Sequence, residues 1–390
     1  MLTRRDMLKM SAAGAATIGL TGAAINNAVA GDHRNIVPPT TYKPASNAKS
    51  VYKYKFSDSE KRSLPGGWAR EATVNQFPIS EGISGVDMTL EAGAVRELHW
   101  HAIAAEWAYM ISGKARITII DPEGTSEVAD FGEGDVWYFP KGYGHSIQAL
   151  DGGAHFILTF DNGHFSEFGT FSITDWIAHT PKEVLSKSTN LPASIFSKAK
   201  QGEAYIVNGH VPPVLPLPRN NGGRDDSPLK HHYPMMSEPP FFESDEGSVH
   251  IVSSKEFPIS KTITGVIEIM KPGAVREMHW HPNANEWQYY ISGKGRMTVF
   301  SSHGHAETAE YETTDVGYVP QGYGHYIENI GDEDLKVLVV LDNGIYQDIS
   351  LSDWLAKTPA YVLADNFNNN EADWKSRPAE KLVISKGAVK

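Results

Sequence analysis

Three histidines and one glutamate lie in the sequence in a pattern that suits a metal ion. His99 and His101 are two positions apart, and side chains so spaced share one face of a β-strand. Glu106 follows after a short turn, and His145 begins a later strand. Three imidazoles and one carboxylate form a mixed nitrogen and oxygen set that suits a divalent transition metal. Because four protein ligands leave two adjacent octahedral positions free, Mn²⁺, and after it Fe²⁺, fits this set better than four-coordinate Zn²⁺.

The same set returns later in the chain. Residues 77–145 match residues 257–325 at a constant offset of 180 positions, which indicates a duplicated domain. The second set consists of His279, His281, Glu286 and His325. A single His-x-His pair is usually two ordinary polar residues, whereas two copies with matched spacing indicate two metal sites. His303 and His305 also form such a pair but have no counterpart in the first copy, so we predict them at the surface. We predict the same of His155, His164, His179, His210, His231 and His232.

The elements around these residues are mainly short strands. Typical β-branched or aromatic runs are residues 116–120, 136–139, 296–300 and 337–340, with Gly, Pro, Asn or Asp between such runs. Strands at this spacing predict an all-β sandwich or barrel in each copy. Each copy ends in a helical stretch, from Thr174 to Lys187 and from Ser352 to about Ala364, with Thr174 and Ser352 as the predicted N-caps.

The chain divides into four segments. Residues 1–30 contain the twin arginines Arg4 and Arg5, a weakly apolar stretch and small residues at the end, which together predict a cleaved export signal. That stretch is too short to span a bilayer. Residues 31–210 are the predicted first domain with an N-terminal arm, 211–230 a Pro- and Gly-rich linker, and 231–390 the second domain. We therefore expect a periplasmic or secreted protein, exported folded, with no membrane span after signal removal.

The composition excludes several classes of function. The 390 residues include no cysteine, which excludes disulfide frameworks, thiolate zinc sites and iron–sulfur clusters. A formal net charge of -12 argues against a nucleic-acid partner, because such a protein needs a basic surface. The same charge means that an anionic substrate would need a local cation to bind.

Two motifs resemble the signatures of the cupin superfamily. The first reads Gly93-x5-His99-x-His101-x4-Glu106-x6-Gly113, the second Gly134-x5-Pro140-x-Gly142-x2-His145, and both recur in the second copy, with Thr314 in place of the Gly that opens the second motif. Arg-Glu-x-His-Trp-His in both copies and Thr-Asp-Trp after a loop are similar to bacterial oxalate decarboxylases. The resemblance implies a bicupin: two tandem double-stranded β-helix, or jelly-roll, barrels with short helical segments. It also implies one manganese ion per barrel, O₂ as a cofactor that is not consumed, and conversion of oxalate to formate and CO₂.

Arg96 and Arg276 lie three positions before the first histidine of each set. Strand alternation places them on the opposite face, and so at the surface, unless a bulge at Glu97 and Leu98 intervenes. The resemblance implies instead that each arginine lies beside the metal and binds the oxalate carboxylate, with Arg96 catalytic. A guanidinium is suited to this role because its fork of donors matches a carboxylate.

A difference between the two copies draws attention to Glu167. The loop from 164 to 174 is three residues longer than its counterpart from 345 to 352. The resemblance implies that this loop is a lid and that Glu167 is the proton donor and acceptor. Decarboxylation needs such a group, because the one-carbon radical anion left after loss of CO₂ must be protonated at carbon. Copy two has the shorter loop and no obvious acid, so we expect catalysis in copy one.

Two other functions stay open. The lid reads Ser166-Glu167-Phe168-Gly169, where the bacterial pattern is closer to Ser-Glu-Asn-Ser. If this lid cannot keep Glu167 over the metal, the protein would be an oxalate oxidase that forms CO₂ and hydrogen peroxide. The other alternative is a non-catalytic manganese-holding bicupin. The resemblance also implies a homotrimer or homohexamer, with helical segments such as Asp175 to Lys187 at the contacts.

Overall fold

The computed structural model describes residues 50–199, 201–215 and 230–386. The predicted export signal and most of the predicted linker lie outside these residues. Within them, each copy of the repeat consists mainly of antiparallel strands with a few short helices, which confirms the predicted all-β class. No helix in the described part of the chain is long and apolar enough to cross a membrane.

In the part of the first half that the structure describes there are twelve strands and two α-helices. The strands are β1 (Lys53–Lys55), β2 (Arg62–Leu64), β3 (Gly67–Ala72), β4 (Ser84–Leu90), β5 (Val95–Trp100), β6 (Glu106–Ile120), β7 (Ser126–Phe131), β8 (Val136–Phe139), β9 (Gly144–Phe160), β10 (Phe171–Ser172), β11 (Ile206–Val207) and β12 (His232–Tyr233). The helices are α1 (Ile173–Ala178) and α2 (Lys182–Thr189).

The second half repeats this order. Its strands are β13 (Phe242–Ser244), β14 (Gly247–Val252), β15 (Thr264–Met270), β16 (Val275–Trp280), β17 (Glu286–Ser292), β18 (Gly295–Phe300), β19 (Ala306–Tyr311), β20 (Asp315–Val319), β21 (Gly324–Asn329), β22 (Leu335–Leu341), β23 (Ile349–Ser350) and β24 (Ile384–Ser385). Its helices are α3 (Leu351–Lys357) and α4 (Ala360–Phe367).

Each half forms a barrel, but the sheets are divided differently. In the first barrel the long strands β6 and β9 pair along most of their length and join the strands into one 11-stranded sheet. In the second barrel the matching strands are each divided in two, so the sheets are separate. Their strand orders are β1-β20-β17-β22-β15-β14-β13 and β19-β18-β21-β16-β23.

The burial of the strands follows from what covers each sheet. Side chains of β18 and β21 alternate between more and less buried, because one face of their sheet meets the barrel core and the other meets solvent. Nearly all positions of β20 and β22 are buried, because both faces of their sheet are covered. One face packs on the core of the second barrel, and the opposite face packs on the first barrel. The apolar core therefore has three parts, one in each barrel and one between them.

The two barrels exchange strands. Strand β1, which precedes the first barrel in sequence, pairs antiparallel with β20 of the second barrel. Strand β12, which precedes the second barrel, pairs antiparallel with β8 of the first. The chain thus crosses between the barrels at both ends of the first copy.

Two tryptophans form the centre of the contact between the barrels. Trp107 of the first barrel lies over Gly265 of the second, and Trp287 of the second lies over Gly85 of the first. A Cβ atom would lie 2.1 Å from the Trp107 ring at Gly265 and 2.4 Å from the Trp287 ring at Gly85. Both tryptophans are fully buried, so the absence of a side chain at each glycine is what allows the rings to fit.

The helical stretches begin earlier than predicted and are interrupted. The N-caps are Ser172 and Ser350, whose hydroxyls accept the backbone N–H of the residue three positions later, so the prediction of Thr174 and Ser352 is wrong. The Thr174 hydroxyl instead donates to the Glu97 carboxylate at 2.7 Å. Each stretch is two short helices, because a proline, such as Pro181, stands before the second one.

Candidate metal centres and lid

The four predicted ligands of the first copy meet inside the first barrel. His99 lies on β5, His101 just beyond its end, Glu106 at the start of β6 and His145 on β9. The two histidine-bearing strands are neighbours, with His99 paired directly to His145. One ligand atom from each residue lies within 4.8 Å of the others, and all four side chains are buried.

The second copy repeats this arrangement in the second barrel. Its four buried residues, again with their ligand atoms within 4.8 Å of one another, are His279, His281, Glu286 and His325. Here the Glu286 Oε2 lies 2.8 Å from His281 Nε2 and 3.0 Å from His325 Nε2. Among the described residues these are the two clusters of histidine and carboxylate side chains that could hold a metal ion.

Backbone carbonyls fix which ring nitrogen is free to bind a metal. The Nδ1 atoms of His99 and His145 lie 2.6 Å and 2.9 Å from the carbonyl oxygens of Glu97 and Tyr143. A carbonyl oxygen can only accept, so each Nδ1 carries the proton and each Nε2 keeps its lone pair for a metal. In the second copy the Nδ1 atoms of all three histidines meet carbonyl oxygens in the same way.

Each ligand glutamate is held through its other oxygen, but by different partners. The indole N–H of Trp137 donates to Glu106 Oε1 at 2.7 Å. In the second copy the amide of Gln288 donates to Glu286 Oε1 at 2.6 Å. Gly317 stands at the position that corresponds to Trp137, and a Cβ there would lie 2.4 Å from the Gln288 amide oxygen. The ligand glutamate is therefore held by a tryptophan in the first copy and by a glutamine in the second, where a glycine at the tryptophan position leaves room for the glutamine side chain.

The unpaired atoms of the first cluster fit a bound cation. The Nε2 atoms of its three histidines and the Oε2 of Glu106 are buried and have no hydrogen-bond partner. Buried polar atoms without a partner are costly, so four such atoms converging on one point indicate a ligand that they share. Three nitrogens and one oxygen suit a divalent transition metal of the manganese or iron type.

Arg96 lies inside the barrel next to the cluster, so the expectation of a surface position from strand alternation is wrong. The pairing of β5 with β9 shifts register between Arg96 and His99, where three residues of β5 span two of β9. This bulge turns the Arg96 side chain to the same side as His99 and leaves it fully buried. Arg276 is buried by the same shift between β16 and β21.

Strained backbone supports each arginine from behind. The carbonyl oxygens of Tyr205 and Val383 accept from Arg96 and Arg276, at 3.3 Å and 3.4 Å. Both residues have positive φ, 61° and 60°, which is uncommon for tyrosine and an outlier for a β-branched residue. Such conformations cost about 1–3 kcal/mol each and persist where surrounding contacts impose them, typically at functional sites.

The loop that contains Glu167 covers the first cluster. Glu167 begins a single 3₁₀ turn, Glu167–Gly169, and its side chain is buried. Its Oε1 accepts from Arg96 Nε at 2.7 Å, and its Oε2 lies 3.2 Å from His101 Nε2. The loop is held down by Glu71, whose carboxylate accepts from the Ser166 hydroxyl and from the Glu167 backbone N–H. The structure thus places a carboxyl group, an arginine and the four candidate ligands in one pocket.

Neighbouring charges decide the protonation state of Glu167. Burial alone would raise the pKa of its carboxyl, but the guanidinium of Arg96, together with His101, more than offsets burial and lowers the pKa to about 2. In this closed arrangement the side chain is therefore a carboxylate. So low a pKa makes it a weak base here, and its pKa rises, so that it binds a proton more readily, when Arg96 is engaged elsewhere.

A cavity of about 220 Å³ lies against the lid. It is lined by Ser166, Gly169, Thr170 and Phe171 of the loop together with His101 and residues beside it. A small substrate could reach the cluster from this cavity if the loop moved.

The second cluster also has a buried carboxyl group beside its arginine. The sequence showed no obvious acid in the second copy, so this group was not predicted. Glu268 on β15 accepts from Arg276 Nε at 2.9 Å. Asp348 accepts from Arg276 Nη2 at 2.9 Å and lies 2.5 Å from the Lys381 ammonium. Burial raises the pKa of Glu268, whereas for Asp348 Arg276 and Lys381 outweigh burial and lower the pKa to about 2.

The lowered pKa of Asp348 predicts a pH-dependent contribution to stability. A carboxyl whose pKa falls on folding stabilises the native state above its ordinary pKa of 3.8, and the effect is lost as the pH falls towards 2. Asp348→Asn should therefore lower the free energy of unfolding by roughly 2 kcal/mol at pH 6 and by much less near pH 2.5. Urea denaturation at both pH values measures this. The exposed Asp332→Asn is the control, and an equal loss at both pH values would contradict the assignment.

Three of the histidines predicted at the surface are partly or fully buried: His155, which lies 2.8 Å from the Asp87 carboxylate, His231 and His232. His231 is buried and lies 3.0 Å from the Glu127 carboxylate, and His232 lies 3.2 Å from Asp135. The reason is the exchange of β12, which carries this pair into the first barrel. His303 and His305 are exposed in a turn, as predicted.

Several residues that shape the centres escaped the sequence argument. Glu71 and Glu203, which hold the lid and Arg96, have no motif around them. The pairing of Trp137 with Glu106, and of Gln288 with Glu286, could have been found by comparing the copies at the offset of 180. Position 137 is a tryptophan where its counterpart is glycine, and position 108 is an alanine where its counterpart is Gln288.

Comparison with known proteins agrees with this geometry. The cupin family model matches residues 55–194 and again residues 235–373. The chain is 50% identical over 324 residues to the oxalate decarboxylase OxdC of Bacillus subtilis, covering 83% of each chain. It is 38% identical over 320 residues to a probable oxalate decarboxylase of Arthroderma benhamiae, covering 81% of this chain and 78% of the other.

Solved structures give the same result. A mutant of the Bacillus subtilis enzyme superposes with a TM-score of 0.82 at 46% identity, covering 87% of this chain and 90% of that one. Another structure, from a study of the Mn(II) centres of Bacillus subtilis oxalate decarboxylase, superposes with a TM-score of 0.80 at the same identity and coverage. Two cupin domains, two four-residue metal sites and these relatives lead to one conclusion: the chain is an enzyme of the bicupin oxalate decarboxylase family.

Proposed function

We propose that the protein is a manganese-dependent oxalate decarboxylase that converts oxalate to formate and CO₂ at its first centre. One observation supports this most directly: the Glu167 carboxylate bonds Arg96 and lies beside the ligand nitrogen of His101. A non-catalytic metal store would not require a carboxylate on a covering loop, outside the sheet ladders, paired with a buried cation at the same point. The relatives named above also carry this activity in their names.

The metal and O₂ define the part of the chemistry that the side chains cannot perform. Manganese, with O₂ as a cofactor that is not consumed, would supply the one-electron steps that make the carbon–carbon bond of oxalate labile. His99, His101, Glu106 and His145 would hold this ion, and the second cluster would hold another. The chain itself must bind the substrate anion, exclude water and move one proton.

Arg96 is proposed to bind the substrate carboxylate. To do so, oxalate must take over donors that Glu167 and Glu203 accept from in the closed arrangement. A guanidinium pairs with carboxylates through parallel hydrogen bonds, so the exchange replaces one carboxylate by another. Glu167 then loses the charge that lowers its pKa and becomes able to hold a proton.

A single group, Glu167, can carry out both proton transfers of the reaction. Glu167 accepts the proton of hydrogenoxalate, CO₂ leaves, and Glu167 returns the proton to the carbon that becomes formate. Hydrogenoxalate thus gives formate and CO₂ with no net proton uptake. If the proton is not delivered, the one-carbon radical anion loses an electron instead, and oxalate, O₂ and two protons give two CO₂ and hydrogen peroxide.

The lid residue Phe168 favours the decarboxylase outcome over the oxidase outcome. Its ring meets the buried Tyr205 edge-on, with centroids 5.6 Å apart, and the guanidinium of Arg62 lies 5.4 Å from the Phe168 centroid and 4.0 Å from that of Tyr205. These contacts tie the loop to the barrel and keep Glu167 over the cluster. Phe168 therefore acts as an apolar clasp where the bacterial pattern has asparagine.

Removing this clasp should shift the products. Phe168→Ala is expected to raise the fraction of oxalate turned over to peroxide by about threefold to tenfold. The reason is that losing a contact worth about 1 kcal/mol raises the ratio of open to closed lid by a factor of that size. Peroxide and formate measured in the same samples give the ratio. His164→Ala is the control, because His164 lies in the same loop and its side chain is exposed. An unchanged ratio in Phe168→Ala would show that the clasp has no such role.

One assay separates the three candidate functions. Metal-loaded protein is supplied with oxalate and O₂, and formate and hydrogen peroxide are measured together. Formate without peroxide supports the decarboxylase, peroxide without formate supports the oxidase, and neither product supports a manganese-holding protein. Elemental analysis of protein from its native compartment tests the metal, and zinc or copper in both centres would contradict the choice of manganese.

The place of the protein and its assembly are further proposals. Residues 1–30 would direct folded export by the twin-arginine route, so the metal could be loaded before export. Retention of the Arg4→Lys, Arg5→Lys double variant in the cytoplasm would support this route.

A homotrimer or homohexamer would cover Trp176 and Trp354, which are 64% and 58% exposed on the helical segments. Light scattering of the mature chain tests the assembly.

A further inference from the structure

The two arginines of the metal centres meet a glutamate through the same atom. Arg96 Nε donates to Glu167 at 2.7 Å, and Arg276 Nε donates to Glu268 at 2.9 Å. In each case Nη2 donates to a second carboxylate, Glu203 or Asp348. The two guanidinium groups are therefore equally occupied in the closed structure, although their partners come from different elements.

The two glutamates differ in whether their backbone can move away from the arginine. Glu167 lies in a loop with a single 3₁₀ turn, outside the ladders of the barrel sheets. Glu268 lies in the middle of β15, which pairs with β14 on one side and β22 on the other. Its backbone cannot move away from Arg276 without breaking both ladders. A lid can exchange its carboxylate for that of a substrate, but a central strand cannot.

The first barrel has no such fixed carboxylate. The position that corresponds to Glu268, 180 residues earlier, is Met88, which is fully buried and uncharged. Glu268 is itself buried, and its Oε2 has no hydrogen-bond partner. An incoming carboxylate at Arg276 would have to displace Glu268 and leave a second buried carboxylate without a counter-charge, which is strongly unfavourable.

The remaining charges around Arg276 add no attraction for an anion. Asp348 is bound by both Arg276 and Lys381, so two cations face two carboxylates at this centre. We propose that Glu268 is a built-in carboxylate that permanently occupies the anion-binding atom of Arg276 and so restricts oxalate to the first centre. This inference rests on oxalate being the substrate and adds the residue that makes the two centres unequal.

Counting bound oxalate tests the inference without relying on turnover. Manganese-loaded full-length protein with two metal ions per chain is kept free of O₂ and dialysed against labelled oxalate. Wild-type protein should bind one oxalate per chain. Glu268→Met, which copies the first barrel, should bind two, with the second affinity within about tenfold of the first. Binding of two by the wild type, or of one by a Glu268→Met protein that keeps both metals, would overturn the proposal.

The reverse substitution in the first barrel gives an independent test if the Glu268→Met protein loses metal or fails to fold. Met88→Glu places a fixed carboxylate on the strand beside Arg96, and the variant should bind at least 100-fold more weakly at the first centre while keeping both metals. Undiminished binding there would overturn the proposal. Failure of the proposed function is distinguishable: it would show as no bound oxalate and no formate in the wild type, whereas failure of this inference leaves formate production intact.

Discussion

Replacing Glu167 by alanine is expected to lower the rate of formate production by at least about 100-fold, the contribution typical of a positioned acid–base group. The fold should tolerate the change, because Arg96 keeps Glu203 and the Tyr205 carbonyl as partners. Peroxide should rise as formate falls, since the radical anion that is not protonated is oxidised. Parallel assays of formate and peroxide with oxalate and O₂ measure both changes.

His164→Ala is the matched control for this prediction. His164 lies in the same loop, but its side chain is exposed. It should leave both products at the wild-type level. Metal content must be determined for each variant, because Glu167 lies beside ligand nitrogens. Formate production at the wild-type rate by a Glu167→Ala protein with a full first centre would show that the proton comes from elsewhere.

The largest effect on stability is expected at the contact between the barrels. Gly265→Ala places a methyl group 2.1 Å from the buried Trp107 ring, which no flexible atom can relieve. Overpacking of this kind costs about 1–3 kcal/mol, and more where two rigid sheets meet. The double variant with Gly85→Ala, which opposes Trp287, should lose more stability than either single variant, but the two effects should not add in full, because both clashes lie in the same contact between the barrels.

Calorimetry of the metal-loaded protein measures this loss as a fall in Tm. Gly169→Ala is the control, since it adds the same methyl group where no atom lies within 4 Å. Both barrels should retain their metal in the variants, because the changed residues lie outside the ligand sets. An unchanged Tm in Gly265→Ala would mean that the barrels can separate slightly at no cost, contrary to the close packing described above.

The sequence was sufficient for the features that depend on local spacing and on the repeat. His99, His101, Glu106 and His145 could be grouped because strand periodicity and the second copy restrict the alternatives, and the structure brings these side chains together. The strands were predictable because β-branched runs alternate with turn residues. The exposed pair His303 and His305 was separable from the ligands because it lacks a counterpart.

What the sequence could not supply depends on register and on contacts between distant segments. One extra residue in β5 moves Arg96 from the expected surface into the pocket, and a bulge has no reliable signature in a single sequence. His231 was misplaced because nothing in its neighbourhood indicates that β12 crosses to the other barrel. Glu268 was missed because it lies in an apolar strand outside both motifs, and nothing in its neighbourhood shows that its side chain turns to Arg276, eight residues later.

The reciprocal packing of the two tryptophans on the two glycines has a consequence for how the chain can evolve. Each barrel offers the other a tryptophan and a glycine, so residue i meets j and j meets i, as in the isologous interface of a two-fold symmetric dimer. In a dimer of identical subunits, every substitution would appear in both halves. Covalent fusion removes that constraint while preserving the symmetric contact. One half can then have Met88 and Trp137 where the other has Glu268 and Gly317, and two centres of common origin become free to specialise.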